Sequence, residues 1–329
     1  MNNVFQGKRV LITGGTGSFG SSFAKFLLKK TKVKKLIIFS RDEFKQHYLE
    51  KEIGESRTTF FIGDIRDLPR LQRAFCGVDI VVHAAALKQV PAIEYNPLEA
   101  IKTNAIGSQN VIEAAIDQKV SRVLCISTDK AVQPVNLYGA TKLCAEKLFV
   151  SANSYSPNVT TFSAVRYGNV IGSRGSIVEI LLNKPNVEKV YITDPEMTRF
   201  WITLNQSFNL VSFALENMEG GEIFVPKIPS MKLVDLFNAI VPHAKQEIIG
   251  VRPGEKLHEL LLTEHESKRA RELKKYFVIL PETTSWIKRE TYKKYKKEGK
   301  KVAPDFIFAS NTNDKWLGPK ELKKILSEK

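Results

Sequence analysis

The chain predicts an α/β protein built on a doubly wound parallel sheet with a smaller C-terminal substrate-binding lobe. Three observations carry this: short apolar runs alternate strictly with amphipathic stretches through the first half, a glycine-rich turn follows the first run, and the pattern loosens after about Tyr167. Runs of strand length and Val/Ile/Leu/Phe character occupy 9–13, 35–40, 59–62, 79–84, 122–127 and 160–165. Helical patterns fill the gaps at 19–29, 43–53 and 97–118, the last with Asn96 as expected cap and Pro97 in the first turn. Such alternation implies parallel strands covered on both faces. Residues 1–167 read as the dinucleotide-binding unit. Residues 168–329 read mainly as the lobe, with helical patterns at 204–218 and 232–240 and some late strands returned to the main sheet.

At 329 residues the chain can bury substantial cores without covalent staples. Cys76, Cys125 and Cys144 are odd in number and widely spaced in apolar runs, so they read as reduced core residues rather than disulfide or metal ligands. The N-terminal residues carry no signal-peptide pattern, and no apolar run is long enough to span a bilayer, so the expectation is a soluble cytoplasmic protein with no membrane partner. The formal net charge of +15 raises the question of nucleic acid. Residues 267–301 hold thirteen Lys and Arg against four Glu, a local excess of nine. No nucleic-acid module accompanies it, and a basic face also steers anionic small molecules, so no nucleic-acid partner is expected.

The turn reads Thr13-Gly14-Gly15-Thr16-Gly17-Ser18-Phe19-Gly20. Glycines at 14, 17 and 20 permit the tight turn, the approach of backbone to a pyrophosphate and close helix packing, while the helix start offers free N–H groups. Gly14, Thr16, Gly17, Ser18, Phe19 and Gly20 are therefore candidate cofactor residues. After the second strand come Ser40, Arg41, Asp42 and, nearby, Lys45. Ser and Arg suit a 2′-phosphate and favour NADP, whereas Asp42 shifted by a register would suit the ribose hydroxyls of NAD. Asp64 and Ile65 end the third strand, where a carboxylate can accept from an adenine amine. Small residues at Ala84 and Ala85 leave room for the dinucleotide after the fourth, with Ala85 a candidate cofactor residue, while Ala84 and Lys88, at the mouth of the crevice, are candidate substrate residues.

Tyr138 and Lys142 form a Tyr-x-x-x-Lys pair, one helical turn apart, so the ammonium can stabilise a phenolate that takes a proton from an alcohol. Upstream stand Ser127, Thr128, Asp129 and Lys130. Thr128 can hydrogen-bond a substrate hydroxyl. Asp129 and Lys130 add an acid and a base that a simple dehydrogenase does not need, which is the equipment for oxidation, loss of water and reduction in sequence.

These residues, with Arg166-Tyr167-Gly168-Asn169-Val170, Arg252-Pro253-Gly254-Glu255-Lys256 and Ser310-Asn311-Thr312-Asn313, make the chain resemble the extended short-chain dehydrogenase/reductases acting on nucleotide sugars. Within them it is similar to the inverting UDP-N-acetylglucosamine 4,6-dehydratases of pseudaminic acid and related glycan pathways, and the resemblance covers almost the whole chain. The Thr128-Asp129-Lys130 triplet is its specific part. The retaining dehydratases carry another residue in place of Lys130, and the 4-epimerases lack the acidic neighbour. The resemblance implies Tyr138 as acceptor of the C4 hydroxyl proton, Lys130 as base at C5 and Asp129 as acid at C6, with those last two roles open to exchange. It also implies Asn169 at the diphosphate with Val170 beside it, Arg252 and Glu255 at phosphate and ribose, and Thr198, Asn311 and Asn313 in segments closing over the sugar. A homo-oligomer is expected on the same ground. A 4-epimerase, a retaining dehydratase, a dinucleotide-sensing regulator and nucleic-acid association through residues 267–301 are the competing readings.

Overall fold

The computed structural model describes residues 3–282 and 291–327. Six parallel strands form the frame: β1 (Arg9–Thr13), β2 (Lys35–Ser40), β3 (Thr58–Ile62), β4 (Ile80–His83), β5 (Arg122–Thr128) and β6 (Thr161–Tyr167). They lie in the spatial order β3-β2-β1-β4-β5-β6. Strand Ile223–Pro226 continues the parallel array beside β6, and Tyr276–Ile279 then pairs with it antiparallel. Strands Ala270–Glu272 and Lys300–Lys301 complete that edge. The near-continuous apolar runs are explained by burial on both faces: every residue of β4 is buried, and so are all but the first of β1.

Register aligns the carboxyl ends of the central strands. Thr13 pairs with His83, His83 with Cys125, and Thr128 with Tyr167. The chain order reverses between β1 and β4, so a crevice opens there, where ligands bind in open α/β sheets. Helix Ser18–Lys30 springs from the glycine turn and buries Phe23 against Phe19, Phe26 and Phe208. Phe208 belongs to helix Leu204–Asn217, so one aromatic cluster fixes the crevice floor to a distant helix. Smaller cores gather around Trp201, Met231 and Leu236 and around Val190, Ile192 and Phe237.

Three expectations are corrected. The stretch 97–118 is helical but uneven: Pro97–Ala100 passes through a π-helical turn, Ile101–Ile106, before Gly107–Asp117 resumes α geometry. Asn96 holds the cap position as expected, but its side chain makes no capping bond to this helix, because its amide turns back to the Ala92 carbonyl at 2.9 Å at the end of the preceding helix, Val90–Tyr95. Cys76 and Cys144 are exposed and only Cys125 is buried: Cys76 follows the last helical residue Phe75, and Cys144 is on the outer face of helix Leu137–Ser151. Among the described residues no helix is long and apolar enough to cross a membrane. Part of the basic stretch, residues 283–290 with Lys288 and Arg289, lies outside the described residues.

A buried ion cluster fastens the later chain to the sheet. Arg166 on β6 meets Glu146 at 2.6 Å and Glu266 at 2.9 Å, and donates to the Leu261 carbonyl at 3.1 Å. Burial disfavours the guanidinium charge, but the two carboxylates outweigh it and hold the proton more firmly than usual. Strand Leu260–Leu262, reached by that carbonyl bond, therefore brings the residues just before it up to the carboxyl end of β5.

Candidate active site

The crevice is one trough with two ends. At the first end a cavity of about 590 Å³ is lined by Gly14, Thr16 and Gly17 of the turn, Ser40, Arg41, Asp42 and Lys45 after β2, Asp64 and Ile65 after β3, and Ala84 and Ala85 after β4. Gly14 has a φ of +66°, and a Cβ there would sit 2.8 Å from the backbone of Ala85, so the turn and the post-β4 segment approach closely only without a side chain. Gly17 caps helix Ser18–Lys30 with no side-chain hydrogen bond, leaving the helix start open toward the trough. Thr103 Oγ1, from the π-helical turn, is buried beside this end with no partner among the described residues.

The polar groups after β2 are already sorted. Asp42 accepts from the Lys45 backbone at 2.9 Å as a helix cap and pairs with Lys45 Nζ at 2.6 Å, bonds that lower its pKa. The Ser40 hydroxyl accepts from Gln46 Nε2 at 2.9 Å. Arg41 reaches toward Asp64 at 3.5 Å but stays half exposed. Asp64 pays a burial penalty that the bonds from Arg66 outweigh, so its carboxyl stays below the ordinary range and ionised.

At the other end a second cavity of about 590 Å³ shares Gly14, Gly17 and Ala84 and adds Ser18, Phe19, Gly20, Lys88, Thr128, Asp129, Lys130, Tyr138, Lys142, Asn169 and Val170. Asn136 caps helix Leu137–Ser151 by accepting from Gly139 N at 2.8 Å, which sets Tyr138 and Lys142 on the first turns facing the crevice. Lys142 is buried and its Nζ donates to the Ile126 carbonyl at 2.8 Å. His83, stacked on Phe149 and hydrogen-bonded to Thr13 and Ser108, is pushed down to about 3 by burial and then by the Lys142 charge, so it stays neutral.

Thr128, Asp129 and Lys130 turn off the end of β5 in one 3₁₀ turn. The fully buried Asp129 accepts on Oδ1 from Thr128 Oγ1 at 2.9 Å and from Lys130 Nζ at 3.1 Å, while Oδ2 has no partner among the described residues. Burial raises the Asp129 pKa despite Lys130. Burial works against the Lys130 ammonium, yet Asp129 and Glu259 overcome it and raise that pKa too. Further orphaned atoms at this end are Ser127 Oγ and Asn169 Oδ1. Lys88 donates from the rim to the Arg174 carbonyl at 3.3 Å, and Arg174 N donates to Ser18 Oγ at 2.9 Å, so the segment around Arg174 bridges the trough.

The remaining residues named from the sequence lie outside the linings of these two cavities. Thr198 is buried, its hydroxyl shared with His258 at 2.9 Å and Ser310 at 2.6 Å. Asn313 is buried and donates to the Ile228 carbonyl and Ser230 Oγ. Arg252 and Asn311 are exposed, and Arg252 stands 4.0 Å from Glu255. Two residues absent from the sequence reading belong with the site. Asn104, on the π-helical turn, clamps Leu87 through both its N–H and its carbonyl at 2.8 and 2.9 Å and donates to Thr141 at 3.0 Å, fixing the post-β4 segment. Glu259 lies 3.2 Å from Lys130 Nζ.

Fold and site together define the architecture of the short-chain dehydrogenase/reductases, with a dinucleotide trough at the β1/β4 switch point and a Tyr-x-x-x-Lys helix facing it. The model of the polysaccharide biosynthesis protein family matches residues 10–281, and the chain belongs to that family. It is 46% identical over 98% of both chains to a UDP-N-acetylglucosamine 4,6-dehydratase (inverting) of Campylobacter jejuni. A UDP-glucose 4-epimerase of Rickettsia conorii is 41% identical over 98% of this chain and 96% of its own. Among solved structures, Pen from Bacillus thuringiensis superposes with a TM-score of 0.88 at 39% identity, covering 99% of this chain and 98% of that one.

Proposed function

We propose that the protein is a C5-inverting UDP-N-acetylglucosamine 4,6-dehydratase that uses NADP and forms UDP-2-acetamido-2,6-dideoxy-β-L-arabino-hex-4-ulose and water. The observation that carries this reading is the Asp129–Lys130 pair standing in the same cavity as Tyr138 and Lys142. Cofactor fit rests on the open helix start, the side-chain-free approach at Gly14 and the orphaned Thr103 and Ser127 hydroxyls along the trough. Arg41 and Lys45 would hold a 2′-phosphate, since Asp42 is occupied as a cap and by Lys45. When bound, the nicotinamide supplies the acceptor for hydride from C4 and returns that hydride to C6.

Tyr138 takes the proton from the C4 hydroxyl, with the Lys142 ammonium one turn along the helix as its positive neighbour. The 4-ketone so formed acidifies the C5 hydrogen. Asp129 and Lys130 share a proton across 3.1 Å, and moving it from Nζ to the carboxylate leaves an amine and a carboxylic acid with no change in net charge. That form carries out the elimination: the Lys130 amine takes the C5 proton and the Asp129 acid protonates the departing C6 hydroxyl. A proton from solvent then adds to C5 on the opposite face and inverts it, and Tyr138 gives up to solvent the proton it took, which restores the starting protonation of the site. Asn169, with its orphaned Oδ1, and Lys88 at the rim bind the substrate from the near side of the trough. The UDP-hexosamine substrate, a homo-oligomeric assembly and a role in pseudaminic acid synthesis belong to the same reading.

NMR of the product from UDP-N-acetylglucosamine and NADP tests it. A 6-deoxy-4-keto sugar of L configuration is expected. The alternative is a 4-epimerase, as the Rickettsia conorii relative is named, and it would instead yield the C4 epimer with its C6 hydroxyl intact.

A further inference from the structure

We propose that Glu259 is a positioning residue that sets how the proton is shared between Asp129 and Lys130, acting through Lys130 without lining the substrate cavity. This deepens the dehydratase reading and rests on it. Glu259 is 2% exposed and is absent from the cavity lining that includes Asp129 and Lys130. Its backbone is held on both sides: Glu259 N donates to Ser310 Oγ at 2.9 Å, and Ser310 N donates to the Glu259 carbonyl at 2.8 Å. The carboxylate is thus fixed 3.2 Å from Lys130 Nζ, whose other acidic neighbour is Asp129 at 3.1 Å.

The charged groups facing Lys130 are Asp129 on its own turn, Glu259 and Lys256 before strand Leu260–Leu262, and Arg199 on strand Thr198–Ile202. Arg199 Nε stands 3.9 Å from Glu259 Oε1, and Lys256 Nζ stands 3.8 Å from Oε2. Burial works against the Glu259 charge, but Lys130, Arg199 and Lys256 outweigh it, so this carboxyl is held below its ordinary range. A fixed negative charge here favours the ammonium at Lys130 and the protonated acid at Asp129. Each of the two groups then titrates at higher pH than it would without Glu259. The amine that the elimination needs forms only by handing a proton to Asp129, so the rate depends on this partition.

The experiment is the pH dependence of kcat/KM for 4-keto product formation, with the cofactor dissociation constant and thermal midpoint measured alongside. Glu259→Gln removes the charge at nearly constant shape. Its profile should move to lower pH by ~1 unit or more, the size of effect a close charge exerts, while cofactor affinity is unchanged. Glu259→Asp keeps the charge, so its profile should stay in place whatever its rate. Lys256→Gln removes a cation from the cluster, and its profile should move to higher pH. If Glu259→Gln fails to fold, the other two variants decide. A Glu259→Gln profile that does not move, an aspartate variant that moves as far as glutamine, or a Lys256→Gln shift to lower pH each overturns the inference. A wild-type enzyme that forms no 4-keto product would overturn the dehydratase reading and this inference with it, whereas normal product with unmoved profiles overturns this inference alone.

Discussion

Gly139→Ala should cripple turnover while sparing the dinucleotide trough. Gly139 lies between Tyr138 and Lys142 on helix Leu137–Ser151, where alanine is intrinsically better than glycine by up to ~1 kcal/mol. A Cβ at this position, however, would sit 2.1 Å from the Lys130 carbonyl oxygen and 2.9 Å from Pro134 Cβ. Van der Waals contact requires more than ~1 Å of extra separation, and neither obstacle is the end of a flexible side chain. The helix or the Asp129–Lys130 turn must therefore move, which changes the placement of Tyr138 relative to Lys130. A shift of about 1 Å in such a constellation costs on the order of 100-fold in rate. Overpacking should lower stability by ~1–3 kcal/mol, partly offset by the helix preference. Steady-state product formation, NADP titration and urea unfolding measure the three quantities. Wild-type turnover in a folded Gly139→Ala variant would refute the argument that the two elements are in register for catalysis.

Other substitutions separate the roles. Tyr138→Phe should lower turnover by ~10²–10⁴-fold with the cofactor still bound, and Lys130→Ala should block elimination, seen as loss of solvent deuterium incorporation at C5, again with cofactor retained. Arg41→Ala should weaken NADP by roughly tenfold or more and leave NAD nearly unaffected in equilibrium titrations; an unchanged preference would remove Arg41 from the 2′-phosphate site. Arg166→Met should destabilise by ~3–5 kcal/mol in urea unfolding, because it strands two buried carboxylates. The pH dependence of that cluster has a definite sign. Burial opposes the Glu266 charge but Arg166 overcomes it and lowers its pKa from the ordinary 4.5. Its contribution is therefore complete above that ordinary value and is lost as pH falls through the lowered one, so unfolding midpoints should decline only under acid.

Much of this organisation is legible in the chain because it is local. The glycine turn, the six apolar strand runs and the Tyr138–Lys142 spacing each state their geometry within a few residues, and the strand ends then bring Thr13, His83, Thr128 and Tyr167 to one edge. What escapes is non-local or masked by a stronger pattern. The π-helical turn that aims Asn104 at Leu87 sits inside a stretch whose composition is plainly helical. Glu259 lies far along the chain from Lys130, and an acidic residue ordinarily reads as solvent-facing; its only local signal is the Lys256-to-Glu259 spacing just before strand Leu260–Leu262, whose last two residues are buried. Cys76 and Cys144 sit beside apolar residues in sequence but on outward faces in space. The segments holding Thr198, Arg252, Glu255, Asn311 and Asn313 are known by motif alone, and their positions outside the two cavity linings depend on how late strands and loops pack.

In the proposed reaction one hydride leaves C4 and the same hydride arrives at C6. Incubating the protein and NADP with UDP-N-acetylglucosamine deuterated at C4, in ordinary water, follows it directly. The expected outcome is a 4-keto product whose C6 methyl carries the deuterium and whose C5 carries hydrogen from solvent. Deuterium found again at C4 of an epimerised sugar, or absent from the methyl group of a keto product, would contradict it.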